Sequence, residues 1–170
     1  MGALQRIYLV GFMGAGKSSV GRVLSKRLGW TFLDLDTEIE RSQKMTVQEI
    51  FRQSGESQFR QLERDHLKRV SAQKDAVIAL GGGAYIDSQN REVADVTGLT
   101  VWLDATFSSI QQRVKIDGSR PLFEDNERAE RLYRERRPAY ALAGMHVSTE
   151  GRSPDAVALE ITKGMEQYKA

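Results

Sequence analysis

The chain has 170 residues, 40% of them hydrophobic and 28% charged, with 3 Pro, a formal charge of +2 and no Cys. This is the composition of an ordinary globular protein of one domain; it excludes a disulfide framework, thiolate metal ligands and a Cys nucleophile, and the small net charge gives no argument for nucleic acid. No stretch approaches ~20 apolar residues, and the first residues carry neither a charged-then-apolar leader nor a myristoylation pattern, so a cytoplasmic protein without membrane contact is expected.

The apolar run Ile7-Tyr8-Leu9-Val10 reads as a short buried strand, and Val20, Val23, Leu24 and Leu28 fall at helical spacing between Ser19 and Leu28. Between them lies Gly11-Phe12-Met13-Gly14-Ala15-Gly16-Lys17-Ser18, which matches G-x-x-x-x-G-K-[ST] at every fixed position. Glycines let the backbone turn its N–H groups toward an anion at the start of a helix; Lys17 then reaches the β- and γ-phosphates, and the Ser18 hydroxyl is placed to ligate Mg²⁺. Gly29 ends the helix, and Trp30 to Asp36 reads as a second strand ending in the carboxylates Asp34 and Asp36. A helical stretch runs from Thr46 to about Val70, broken near Gly55. Ala76 to Leu80 makes a third strand, closed by Gly81-Gly82-Gly83. Leu99 to Leu103 makes a fourth, followed by a helix from Phe107 to Val114, a polar loop from Lys115 to Asp125 and a charged helix from Asn126 to Ala143. Met145 to Ser148 is a fifth strand, and a last helix starts near Pro154. Strands alternating with helices predict an α/β fold with a parallel sheet covered on both faces and ligands beyond the carboxyl ends of its strands.

That arrangement puts the phosphate loop, Asp34, Asp36 and the triple glycine at one edge of the sheet. Two neighbouring carboxylates invite a division of labour, one holding Mg²⁺ and the other binding a substrate hydroxyl and accepting its proton during phosphoryl transfer. A helix cap ahead of Thr37-Glu38-Ile39 is the structural alternative for either residue. The third strand ends in glycines without the metal-organising Asp usual in phosphate-loop enzymes, so the metal role falls to Asp34. The glycines supply N–H groups without bulk, so a small polar ligand can lie against the chain; a plain flexible turn is the alternative. Arg60, Arg120 and Arg136 recur beside these loops, and a guanidinium grips a carboxylate with two parallel hydrogen bonds. Glu63 follows Arg60 by three positions and can hold it from the same helix face. Arg128, Arg131 and Arg134 alternate with Glu and read as a solvated helix face.

With GFMGAGKSSVGR at 11 to 22, Asp34-Leu35-Asp36, Phe59-Arg60 with Glu63, Gly81-Gly82-Gly83, Arg120-Pro121-Leu122 and Arg-x-Pro-x-Tyr from Arg136 to Tyr140, the chain resembles the shikimate kinases over essentially its full length. The resemblance implies a three-layer sandwich around a five-stranded parallel sheet in the order 2-3-1-4-5. It implies one kinase domain over 1–170, with a short lid near 115–125 and a substrate-binding helical region near 37–72. It implies transfer of the ATP γ-phosphoryl group to the 3-hydroxyl of shikimate with Mg²⁺ as cofactor, by a monomer. By position, Asp36, Arg60, Gly81, Gly82, Gly83 and Arg136 fall to the substrate, with Arg60 and Arg136 on its carboxylate and Asp36 on its hydroxyls. Of the adjacent Arg136 and Arg137, the family pattern selects Arg136, four residues before Tyr140. Ser18 and Asp34 fall to the metal. Gly14, Ala15, Gly16, Lys17, Ser18 and Ser19 fall to the ATP phosphates. The resemblance further implies that Arg113, Arg152 and Pro154 form the adenine pocket, that Arg120 is the lid arginine reaching the phosphates, and that Lys17, Asp36 and Arg120 are the catalytic set. The competing readings are a phosphate-loop kinase for gluconate or a nucleoside, and a non-catalytic nucleotide switch; the second has no need of Lys17, Ser18, Asp34, Asp36 and Arg120 together.

Overall fold

The structure, a computed structural model, describes residues 4–117 and 125–168. Five parallel strands form one sheet in the order β2-β3-β1-β4-β5: β1 Arg6–Val10, β2 Thr31–Asp34, β3 Ala76–Ala79, β4 Leu99–Asp104 and β5 Met145–Ser148. The expected strand order is therefore borne out. Ile7 pairs with Val77 on one side and Leu99 on the other, which makes β1 the central strand. Ile7, Tyr8, Leu9 and Val10 are consecutive and all buried. Successive residues of a strand point to opposite faces, so this pattern requires cover on both sides of the sheet.

The cover comes from α1 Lys17–Leu28, α2 Leu35–Gln43, α3 Val47–Val70, α4 Ser88–Thr97, α5 Phe107–Asp117, α6 Asn126–Tyr140 and α7 Pro154–Gly164. Helix α3 starts with a reciprocal capping box between Thr46 and Glu49 and is interrupted at Gly55, whose φ of 81° and ψ of 171° are outside helical space. The break expected near Gly55 is where the sequence placed it.

Several boundaries differ from the sequence reading, among them the end of α5, which runs to Asp117, three residues into the segment read as a loop. The second strand does not run through Asp36: it stops at Asp34, whose Oδ1 accepts the Thr37 amide at 3.2 Å, and α2 starts at Leu35. The alternation Phe32-Leu33-Asp34-Leu35-Asp36 imitates a strand, but the cap decides the boundary, and Leu35 and Ile39, four apart, are both buried as a helix requires. Helix α6 ends at Tyr140 rather than Ala143, because the chain must turn into β5; the His146 imidazole bonds the Ala141 and Ala143 carbonyls there. Helix α4, unassigned from the sequence, is capped by Asp87, which accepts from the Gln89 and Asn90 amides.

Candidate active site

The phosphate loop leaves the carboxyl end of the central strand with positive φ at Gly11, Gly14 and Gly16. At Gly11 the space is closed as well, since a Cβ would lie 2.8 Å from the Leu103 carbonyl oxygen. Gly16 caps α1 without any side-chain hydrogen bond, and the first turn holds no acidic residue. The loop thus faces the end of α1 where the backbone dipole is positive, which favours an anion there. Lys17 Nζ donates to the carbonyls of Gly11 at 2.6 Å and Phe12 at 3.0 Å, which folds it across the loop.

Ser18 Oγ donates to Asp34 Oδ2 at 2.9 Å. Asp34 therefore does two things: one oxygen caps α2 and the other meets the Ser18 hydroxyl. The two readings of this carboxylate, cap and site residue, are compatible because its oxygens point different ways. Asp36 sits in the first turn of α2, and its carboxyl is pushed above the ordinary range, chiefly by burial and then by the charge of Asp34, with Lys17 and Arg60 pulling the other way. Together with Met13, Gly81, Gly82 and Arg113 these residues line a cleft of about 450 Å³. A groove of about 420 Å³ lies at the opposite ends of the strands, between Leu4, Val96, Leu142 and Tyr168. Volume alone does not choose between the two; the phosphate loop and the paired carboxylates do.

Beside the cleft, a pocket of about 180 Å³ is lined by Gly16, Ser19, Val20, Arg113, Arg152 and Pro154 among others. Arg113 joins the two spaces, donating to the carbonyls of Gly14 (3.3 Å), Ala15 (3.1 Å) and Thr149 (3.3 Å), and so ties the phosphate loop to the segment between β5 and α7. Arg152 is held within that segment by the carbonyls of Ser148 and Ala156.

On the other side of the glycine turn, Arg60 Nη1 donates to both oxygens of Glu63, at 3.0 and 3.1 Å, and Nη2 lies 3.5 Å from Glu56. Burial pushes Glu63 up to about 7, opposed by the charge of Arg60. Glu56 is a site neighbour that the sequence reading missed; it precedes Arg60 by four positions, the spacing that marks one helix face. The Arg136 guanidinium lies 5.8 Å from the centre of the Phe12 ring and beside Gly82, where a Cβ would come within 3.1 Å of Nη1. Arg137 turns away, donating to Asp104 at 2.7 Å and to the Tyr133 hydroxyl at 2.7 Å, with its charge 4.8 Å from the Trp102 ring. Tyr140, four residues after Arg136 and 1% exposed, donates its hydroxyl to the Gly82 carbonyl, and burial raises it to about 12. Its participation was legible only as a motif position. Arg120 lies outside the described residues, as does most of the expected lid.

The shikimate kinase family model matches residues 13–166. The chain belongs to the shikimate kinase family. The shikimate kinase of Persephonella marina is 41% identical over 159 residues, which cover 93% of this chain and 97% of that one. A solved structure of shikimate kinase from Acinetobacter baumannii in complex with shikimate superposes with a TM-score of 0.91 at 36% identity, covering 98% of this chain and 95% of that one. A gluconokinase from Sinorhizobium meliloti shares 18% identity at a TM-score of 0.62, a likeness of fold alone. The resemblance read from the motifs is borne out at the level of the family.

Proposed function

We infer that the chain is an ATP-dependent shikimate kinase that phosphorylates the 3-hydroxyl of shikimate and releases ADP. The observation that carries this reading is the convergence, on one glycine turn, of a phosphate-binding loop, a carboxylate of raised pKa and two arginines, in a member of the shikimate kinase family. A phosphate loop supplies the donor side of any such kinase. Two guanidiniums beside a carboxylate suit an acceptor that is both an acid and a polyol.

In this reading ATP lies with its phosphates on the loop from Gly14 to Ser19 and its base against Arg113, Arg152 and Pro154. Lys17 leaves the carbonyls of Gly11 and Phe12 for the β- and γ-phosphates. Asp36 orients the acceptor hydroxyl and takes its proton; its raised pKa makes it a stronger base than an exposed Asp. Arg60 and Arg136 bind the acid's carboxylate, with Arg60 held in place by Glu63. Arg120 neutralises charge on the phosphoryl group in transit.

Mg²⁺ is the metal proposed. Ser18 Oγ and Asp34 Oδ2 are adjacent hard oxygen donors, and the described residues hold no cluster of three or more His, Cys, Asp or Glu able to cage an ion. That fits a cation that takes one or two protein oxygens and completes its shell with phosphates and water. Bound there, it would supply positive charge to the phosphates. The helical region over 37–72 forms the acceptor side of a single kinase domain. We place the enzyme in the cytoplasm, which the absence of Cys suits, and as a monomer, as the family resemblance implies.

The test is ADP release from ATP and Mg²⁺ with shikimate, gluconate and nucleosides side by side, followed by phosphorus NMR of the product. Turnover on shikimate above the others, with the phosphate on the 3-oxygen, is expected. Faster turnover on gluconate or a nucleoside would overturn the reading.

A further inference from the structure

Glycines in this chain are required for different reasons. Gly29 and Gly55 have positive φ with nothing within 4 Å of a built Cβ, so their need is conformational. Gly21 faces the Phe32 ring, which is a packing need. Gly81, Gly82 and Gly83 fit neither kind. None has positive φ, and Gly83 sits at φ −95° and ψ −12°, a conformation that does not require glycine.

What a side chain would meet at each position is the end of a polar side chain, a different one each time. A Cβ at Gly81 would lie 2.8 Å from Asp36 Oδ1 and 3.2 Å from Oδ2. At Gly82 it would lie 3.1 Å from Arg136 Nη1. At Gly83 it would lie 2.6 Å from Arg60 Nη2, 2.8 Å from Nη1 and 2.9 Å from Cζ. Resting on the reading of the site given above, we propose that the three glycines are separate seats, each emptied of a side chain to position one substrate-handling group: Gly81 for Asp36, Gly82 for Arg136 and Gly83 for Arg60.

The turn itself is pinned. The Gly81 carbonyl accepts from the Ala84 amide at 3.0 Å, the Gly83 carbonyl from the Ile86 amide at 3.3 Å, and the Gly82 carbonyl from the Tyr140 hydroxyl. An added methyl group cannot be absorbed by a shift of this backbone without losing those bonds, so the side-chain end yields instead. A small shift of an arginine tip costs the fold less than a shift of the backbone, provided Arg60 keeps its bonds to Glu63. It costs the site much more, since a displacement of about 1 Å from productive geometry can lower function by ~10²-fold. The 3.1 Å contact at Gly82 asks for a smaller movement than the contacts at its neighbours. Three consecutive glycines thus act through three different side chains on two kinetic quantities, shikimate KM through Arg136 and Arg60 and kcat through Asp36.

The experiment is Gly81→Ala, Gly82→Ala and Gly83→Ala in the full chain, with kcat and KM for shikimate and ATP, thermal midpoints, and shikimate Kd by calorimetry. Gly83→Ala is expected to raise the shikimate KM by about tenfold or more with kcat near parental, and Gly82→Ala to do the same to a lesser degree. Gly81→Ala should instead lower kcat by about tenfold or more. Midpoints should stay within about 3 °C of the parent, because only side-chain ends move. Double variants decide the cause: Gly83→Ala added to Arg60→Ala, and Gly82→Ala added to Arg136→Ala, should weaken shikimate binding no further than the arginine change alone. Additive losses, one shared phenotype for all three positions, parental kinetics, or a collapse of the thermal midpoint would each overturn the seats. A parent enzyme that turns over gluconate or a nucleoside better than shikimate would instead overturn the functional reading.

Discussion

Replacing Glu63 by glutamine tests both the electrostatics of the site and the reason Arg60 stands where it does. Glu63 is 1% exposed, and burial raises it from 4.5 to about 7. Between those values the unfolded chain loses a proton that the folded protein keeps, so stability contributed by the protonated group is fully present below about pH 4.5 and is lost as pH rises toward 7. At roughly 1.4 kcal/mol per pH unit, that interval removes ~3 kcal/mol. For a chain of this size it corresponds to roughly 6–12 °C in Tm. The glutamine side chain of Glu63→Gln cannot titrate and escapes the loss, although it offers Arg60 Nη1 one carbonyl oxygen in place of the two carboxylate oxygens at 3.0 and 3.1 Å. Thermal midpoints of the two proteins are measured from pH 5 to 8, and their difference is read so that all other titrations cancel. The parent's Tm relative to that of Glu63→Gln should fall as pH rises. With Arg60 less firmly held, the variant should also show a shikimate KM raised by about tenfold while kcat changes little. Parallel Tm curves would refute the argument from burial. An unchanged KM would refute the claim that Glu63 positions Arg60.

Asp36→Asn should lower kcat by ~10²-fold or more while leaving ATP affinity, measured by calorimetry, near parental, because the amide can no longer accept the hydroxyl proton. Arg60→Lys and Arg136→Lys should both raise the shikimate KM, since lysine keeps the charge and loses the planar fork; saturation at parental concentrations would remove the carboxylate clamp. Arg137→Ala should lower Tm through the lost bonds to Asp104 and Tyr133 and affect shikimate KM less than Arg136→Ala, and the reverse ranking would exchange the two roles. Arg120→Ala should lower kcat by ~10³-fold, far more than it weakens shikimate binding without nucleotide, and parental kcat would take the arginine out of the transfer step.

The sequence is most legible where chemistry restricts the choice of residue. Gly11 to Ser18 can be read because positive φ at Gly11, Gly14 and Gly16 and an uncapped helix start demand those residue types. The central strands are readable because burial on both faces makes them continuous apolar runs. The end of β2 is not, since Leu35 and Ile39 satisfy a helix only once Asp34 has capped Thr37, and the same letters satisfy a strand until then. Helix α4 is weak for a similar reason: Asp87 is its cap but also pairs with Arg64 at 2.6 Å, and that partner is twenty-three positions away in the chain. Tertiary partners of this kind leave no periodic trace.

Arg136 and Arg137 show how far residue identity falls short of role. They have the same side chain at consecutive positions, and one step along an α-helix turns it by about 100°. That rotation sends Arg136 toward Phe12 and the glycine turn, and Arg137 toward Asp104, Tyr133 and Trp102 at the end of β4. The surroundings then decide the chemistry. Arg137 meets a carboxylate supplied by its own chain, which satisfies the guanidinium and anchors α6 to the sheet. Arg136 meets backbone, an aromatic face and the Tyr140 hydroxyl, none of which brings a negative charge. A guanidinium beside the glycine turn, with no carboxylate paired to it among the described residues, is suited to one that arrives with the substrate, and the anchoring of its neighbour fixes the helix that carries it.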